Sequence, residues 1–271
     1  MRCPPAPVRA LALAIALLGL ASPSPVLAQG LAVAAAADLQ PVLPALADRF
    51  TRETGQPVRL TFGSSGTFFS QIQNGAPFDV FLSADMEYPL RLVSGGVGMS
   101  GSLLEYARGR LVVWARREVG LDLQQGLAVL ADPRVRRVAI ANPAHAPYGR
   151  AAVAALQQAR LYDTLHAKLV LGESVSQAAQ FVQSGNADAG IIALSMALAP
   201  ALRESGAYLE LPPSQYPPIR QAGVVLTRAA NPALASRFLD MLRQPDVVRL
   251  LGGFGFAPAE GPALAGDGAN R

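Results

Sequence analysis

Cysteine is nearly missing from this chain of 271 residues. The single copy, Cys3, stands close to the start, and nothing after it can form a disulfide or offer a thiol. Histidine occurs twice, at His145 and His166, far apart and in no metal-ligand spacing. Lysine occurs once, at Lys168, and follows no glycine-rich loop, which argues against a P-loop nucleotide site. The usual bases and nucleophiles are therefore scarce, and acid–base or covalent catalysis is poorly provided for. The run Gly63-Ser64-Ser65-Gly66-Thr67 departs from the G-x-S-x-G nucleophile turn, because its fifth residue is threonine. No segment after the N-terminal one is long and apolar enough to read as a membrane span.

The N-terminal segment has a different character. Arg2 and Arg9 precede an apolar run from Ala10 to Ala21, followed by Ser22-Pro23-Ser24-Pro25 and Val26-Leu27-Ala28-Gln29. A basic start, a short apolar stretch and small residues two apart before a polar one describe a secretory signal peptide over residues 1–28, cut after Ala28. Cys3 precedes the apolar run, the wrong place for a lipid anchor, and leaves with the leader. Without Arg2 and Arg9 the chain keeps 21 basic against 19 acidic residues, too even a balance to suggest a nucleic-acid partner. The remaining 243 residues suffice for one large domain or two lobes.

Strand and helix signals alternate along those residues. Leu31 to Ala35 reads as a buried strand, with Asp38 as N-cap of the helix that follows; Pro44 predicts a kink in that helix or a later start. Val58 to Phe62 is a second strand. It delivers the loop Gly63 to Gly66 into a helix that stops at Asn74-Gly75. Phe78 to Ser83, Leu111 to Ala115, Val138 to Ala141, Lys168 to Leu171, Ile191 to Leu194 and Ala222 to Thr227 continue the strands. A proline-stiffened loop from Asn142 to Gly149 precedes a helix expected over residues 150–159. Ser174-Val175-Ser176-Gln177 matches a capping box, and Asn231-Pro232 starts a later helix. This alternation predicts an α/β fold with mostly parallel sheets covered by helices.

Several strand ends thus deliver helix starts, at Asp38, Ser65, Tyr148-Gly149 and Ser174-Val175. The crevice at the carboxyl ends of parallel strands is where ligands sit. Free N–H groups at a helix start carry partial positive charge, and serine adds a donor without a full charge, so the Gly63–Gly66 loop suits a small oxyanion. Read by itself the same loop is also an ordinary way to begin a helix, Tyr148 a loop tyrosine, and Val175 and Trp114 core residues.

The stretches Ala34-Ala35-Ala36-Ala37-Asp38-Leu39, Phe62-Gly63-Ser64-Ser65-Gly66, Gln71 through Asp85 and Asn142-Pro143 through Pro147-Tyr148-Gly149 together resemble the periplasmic molybdate-binding proteins of ABC transporters. The resemblance covers essentially the whole exported chain. It implies the two-lobed type II periplasmic binding protein fold, each lobe a mostly parallel sheet flanked by helices. Lobe one would take residues 29–110 plus 221–271 and lobe two 111–220, with crossing strands near residues 109–113 and 220–224. It also implies a molybdate, and with it tungstate, held in the cleft by Asp38, Ser65, Tyr148 and Val175 without a resident cofactor.

By the same resemblance Ser65 gives its amide and hydroxyl, Val175 its amide and Tyr148 its phenol, while Ala193 stands where another subgroup has a tyrosine. Asp38 departs from the serine or asparagine common at its place. An ionised carboxylate cannot donate and repels a dianion, so its side chain is expected to turn away and cap its own helix, leaving the amide for the ion. The implied partner is an ABC permease in the inner membrane, with a monomeric binding protein in the periplasm. Sulfate, thiosulfate or phosphate remain open as alternative guests, as does a hydrolase on the same fold.

Overall fold

All eight strands that the sequence pattern marks are present in the computed structural model, which describes Met1 and residues 30–259. Apart from Met1, the expected leader lies outside the described residues. The chain begins with β1 (Leu31–Ala36), α1 (Leu43–Thr54), β2 (Val58–Gly63), α2 (Ser65–Gln73), β3 (Val80–Ser83), α3 (Glu87–Ser94) and β4 (Leu104–Gly109). It then builds a second sheet from β5 (Leu111–Arg116), β6 (Val138–Ala141), α4 (Pro147–Gln158), α5 (Tyr162–Leu165), β7 (Leu169–Gly172), α6 (Val175–Gln183), β8 (Ala189–Ala193), α7 (Leu194–Ala197), α8 (Pro200–Ser205) and β9 (Gly206–Glu210). Finally it returns to the first sheet with β10 (Ile219–Val225), α9 (Pro232–Met241), α10 (Pro245–Gly253) and β11 (Ala257–Pro258).

The first sheet has the order β11-β4-β10-β3-β1-β2 and the second β7-β6-β8-β5-β9. Parallel pairing is confined to β2-β1-β3 and to β7-β6-β8, while β10 runs antiparallel to β3 and β4, and β5 antiparallel to β8 and β9. Each sheet is therefore mixed, which corrects the expectation of mostly parallel ones. The antiparallel members are the strands beside the crossings. β4 passes into β5 through Arg110 alone, and the return along 211–218 brings Ile219 beside Gly109.

Burial follows from this layering. β1 is buried along its whole length: Leu31, Val33 and Ala35 face one core with Phe50 and Phe238, and Ala34 faces another with Phe68, Phe69 and Phe81. A strand covered by helices on both faces reads as a continuous apolar run for this reason. The α1 helix turns Leu43, Leu46, Ala47 and Phe50 inward, a three-and-four spacing that makes one face, and Phe50 meets Phe238 edge-on with centroids 5.1 Å apart. It starts at Leu43, so Pro44 falls in the first turn where its missing N–H costs little; the late start, and not a kink, is realised. In the second lobe Trp114 of β5 is fully buried in the core, where Gly206 leaves room for its ring: a Cβ there would lie 2.1 Å from Cζ2.

Candidate functional site

The carboxyl ends of β1, β2, β6 and β7 bring four backbone turns to one place. After β1 comes a single 3-10 turn, Ala37–Leu39; β2 runs into α2 at Ser65, β6 reaches α4 at Pro147, and β7 reaches α6 at Val175. Segments 36–38, 63–65 and 146–148, with Ala84 and Val175, line a small cavity with free space of about 10 Å³. Asp38, Ser65, Tyr148 and Val175 are all among its lining residues, two from each lobe. That is far below the roughly 300–1,000 Å³ of clefts that take drug-sized ligands, so an extended organic molecule does not fit between the lobes as they stand.

Local chemistry explains each position. Ser65 Oγ accepts the Ala84 amide at 2.9 Å, which leaves its own proton to donate. Ser174 Oγ accepts the Gln177 amide at 3.3 Å, the expected cap, while Gln177 Oε1 reaches back to the Glu173 amide at 2.6 Å instead of that of Ser174. The first amides of α6, Val175 among them, have no carbonyl within the helix to bond. The α4 helix begins three residues ahead of the expected Arg150. Pro147 suits its first position and Tyr148 lies buried in its first turn, not in the preceding loop.

Asp38 does not cap its own helix as expected. The 3-10 turn has Ala36 at its N-cap with no side-chain bond, and the Asp38 carboxylate points the other way, into the interior between the lobes. Its Oδ2 accepts from Tyr148 Oη at 3.0 Å and from Gln221 Nε2. Its Oδ1 is buried without a hydrogen-bond partner. Burial raises the carboxyl to about 6 from its ordinary 3.8, against the opposing pull of the bonds from Gln221 and Tyr148. The reason for the different direction is tertiary: two buried donors on other elements outbid a single-turn cap.

Gln221 and Tyr106 are missed by sequence reasoning. Gln221, on β10, is fully buried and donates both to Asp38 and, at 3.2 Å, to Tyr148 Oη. Tyr106 Oη on β4 donates to Gln221 Oε1 at 2.9 Å and thereby fixes which way the amide faces. Burial raises Tyr106 and Tyr148 well above the usual phenol range, and the neighbouring Asp38 charge adds to it. A glutamine directly before the expected apolar strand from Ala222 is the signal that could have found this position.

The model of the bacterial extracellular solute-binding proteins matches residues 31–257. The chain belongs to that family. It is 39% identical over 254 residues to the molybdate-binding protein ModA of Rhodobacter capsulatus, covering 93% of this chain and 97% of the relative. The solved structure of the Azotobacter vinelandii periplasmic molybdate-binding protein superposes with a TM-score of 0.79 at 36% identity, over 85% of this chain and 100% of that one. The sulfate-binding protein SubI of Mycobacterium tuberculosis, 17% identical with a TM-score of 0.69 over 85% of this chain and 87% of its own, shares the fold.

The two lobes of this solute-binding protein meet across the cleft. Ser64 stands at the N-cap of α2 but spends its hydroxyl on the His145 carbonyl at 2.7 Å, and the Gly66 amide donates to the same carbonyl at 2.9 Å. The His145 ring lies 2.8 Å from Ser64 Oγ through Nδ1 and 3.3 Å from Glu173 through Nε2. Arg150 pairs with Asp85 and donates to Tyr88 Oη at 3.3 Å, and Ser195 Oγ donates to the Asp38 carbonyl at 2.8 Å. His145 is therefore an interlobe contact. His166 is exposed and packs edge-on against Tyr162. Among the described residues no group of three or more His, Cys, Asp or Glu is placed to hold a metal ion, and no helix is long and apolar enough to cross a membrane.

Proposed function

We propose that this solute-binding protein captures molybdate, and tungstate with it, in the interlobe cavity outside the cytoplasm and delivers it to an ABC permease in the inner membrane. The observation that carries this reading is the convergence of Asp38, Ser65, Tyr148 and Val175, from both lobes, on one small cavity with no arginine or lysine among its lining residues. The amides of Asp38, Ser65 and Val175 and the hydroxyls of Ser65 and Tyr148 are the contacts. Identity near 40% over most of the chain to molybdate-binding relatives supports the choice of guest.

Neutral donors are enough. A hydrogen bond to a charged group contributes about 1.5–3 kcal/mol. Five of them at the upper end of that range, less the cost of association and ordering, reach the roughly −8 kcal/mol of micromolar binding. An open cleft lets water take over the same donors, which favours release to the permease. In this reading the protein acts as a monomer in the periplasm, needs no resident cofactor and catalyses no reaction.

Calorimetric titration with molybdate, tungstate, sulfate and phosphate tests the assignment. Heat and a saturating rise in melting temperature are expected with the first two ions and little with the others, because a ligand bound only by the folded form stabilises it in proportion to occupancy. Strong sulfate or phosphate binding with none of molybdate would overturn it.

A further inference from the structure

Asp38 is the one carboxylate among the residues lining the cavity, and its hydrogen bonds can be counted proton by proton. Gln221 has two amide hydrogens, and they go to Asp38 Oδ2 and to Tyr148 Oη. The phenol has one, and it goes to Asp38 Oδ2. Every hydrogen these three side chains own is spent among themselves, while Asp38 Oδ1 is buried and unpartnered. With an ionised carboxylate the group therefore offers an arriving dianion no donor from these side chains. It also sets a like charge beside it, which repels the dianion.

One added proton reverses both effects. A neutral carboxylic acid accepts on its carbonyl oxygen and donates from its hydroxyl, which matches two donors on Oδ2 and none on Oδ1. Should the proton sit on Oδ2 and bond to Tyr148, the phenol hydrogen is freed instead. Either way the pair gains a single donor to turn toward the cavity. Resting on the reading that the cavity takes a dianionic oxyanion, we propose that capture takes up one proton, held by the Asp38–Tyr148 pair, so that the ion settles beside an uncharged acid.

The groups around Asp38 leave it as the site of that proton. Tyr148 on α4 and Tyr106 on β4 are both held protonated by burial. Asp85, after β3, is engaged by Arg150 of α4. Ser195 on α7 reaches only the Asp38 carbonyl, and Gln221 on β10 does not titrate. Tyr216, which couples to Tyr148, is also pushed up by burial, and His145 and Glu173 stand apart at the His145 contact between the lobes. The unliganded carboxyl at about 6 is mostly ionised at neutral pH and so has a proton to gain.

Calorimetric titration of the native protein with molybdate at about pH 8, in two buffers of different ionisation enthalpy, counts protons directly. About one proton taken up per ion is expected, and affinity should fall about tenfold per pH unit above neutrality. Asp38→Asn, whose amide donates without a proton, should bind with uptake near zero and a flat pH profile, whereas His145→Gln should keep the uptake. Native binding with no proton uptake, or uptake that persists in Asp38→Asn, overturns the proposal while leaving the molybdate reading intact. If neither molybdate nor tungstate binds the native protein, both fall together. The native proton count and pH slope decide the matter even if Asp38→Asn does not fold.

Discussion

Gly66→Val is expected to weaken molybdate binding by about a hundredfold while the unliganded protein keeps its fold. Gly66 is in the first turn of α2, and a Cβ built there would lie 2.6 Å from the His145 carbonyl oxygen, 2.8 Å from His145 Cβ and 2.6 Å from Tyr88 Oη. The first two atoms belong to the other lobe and the third is bonded to Arg150 across the cleft. Added bulk therefore obstructs the meeting of the lobes more than the folding of either. A side chain other than glycine is intrinsically acceptable at a helical position. Overpacking of a close contact costs typically 1–3 kcal/mol, and apparent affinity falls by the fraction of protein that can still close. The upper end corresponds to a factor of about 150, and Gly66→Ala should fall between this variant and the native protein. Titration beside a melting curve separates the two effects. Unchanged affinity in Gly66→Val would show that lobe contact at His145 is not needed for capture.

Asp38→Asn, without any ion, should be more stable than the native protein by up to about 3 kcal/mol at neutral pH and by nothing near pH 4. The sign follows from the direction of the shift. Burial raises the folded-state carboxyl to about 6, above its ordinary 3.8, so folding favours the protonated form. That contribution is fully present below about pH 4 and is lost as pH rises through about 6; above it the folded protein carries a buried charge. Asparagine keeps an oxygen to accept from Tyr148 and Gln221 and never ionises. For a chain of this length, each kcal/mol moves the melting temperature by about 2–4 °C, so a gain near 10 °C at neutral pH is expected. An equal melting temperature at neutral pH, or a gain that does not vary with pH, would mean the carboxyl is not held at a cost.

Local chemistry explains how far the fold was legible in the residues. Pro44 left a kink or a late start of α1, of which the late start is realised, and the serine at 174 and asparagine at 231 cap α6 and α9 through their own side chains. These signals act over a few residues and survive any tertiary arrangement. The four residues named for the ion lie at strand ends that the alternation of strand and helix already marked. What local patterns could not disclose depends on partners far along the chain. The direction of the Asp38 side chain is set by Tyr148 and by Gln221, a residue 183 positions away. The role of His145 arises through its main-chain carbonyl, which no side-chain signal announces. The antiparallel strands likewise follow from where the chain crosses between lobes, a property of the whole path.

In this reading uncharged donors from both lobes hold the ion. A crystal structure of the protein grown with molybdate tests it most directly. The ion is expected in the cavity, with its oxygens on the Ser65 and Val175 amides, the Ser65 hydroxyl and the Asp38–Tyr148 pair. An arginine side chain neutralising the ion, or an ion bound elsewhere with this cavity unused, would contradict it.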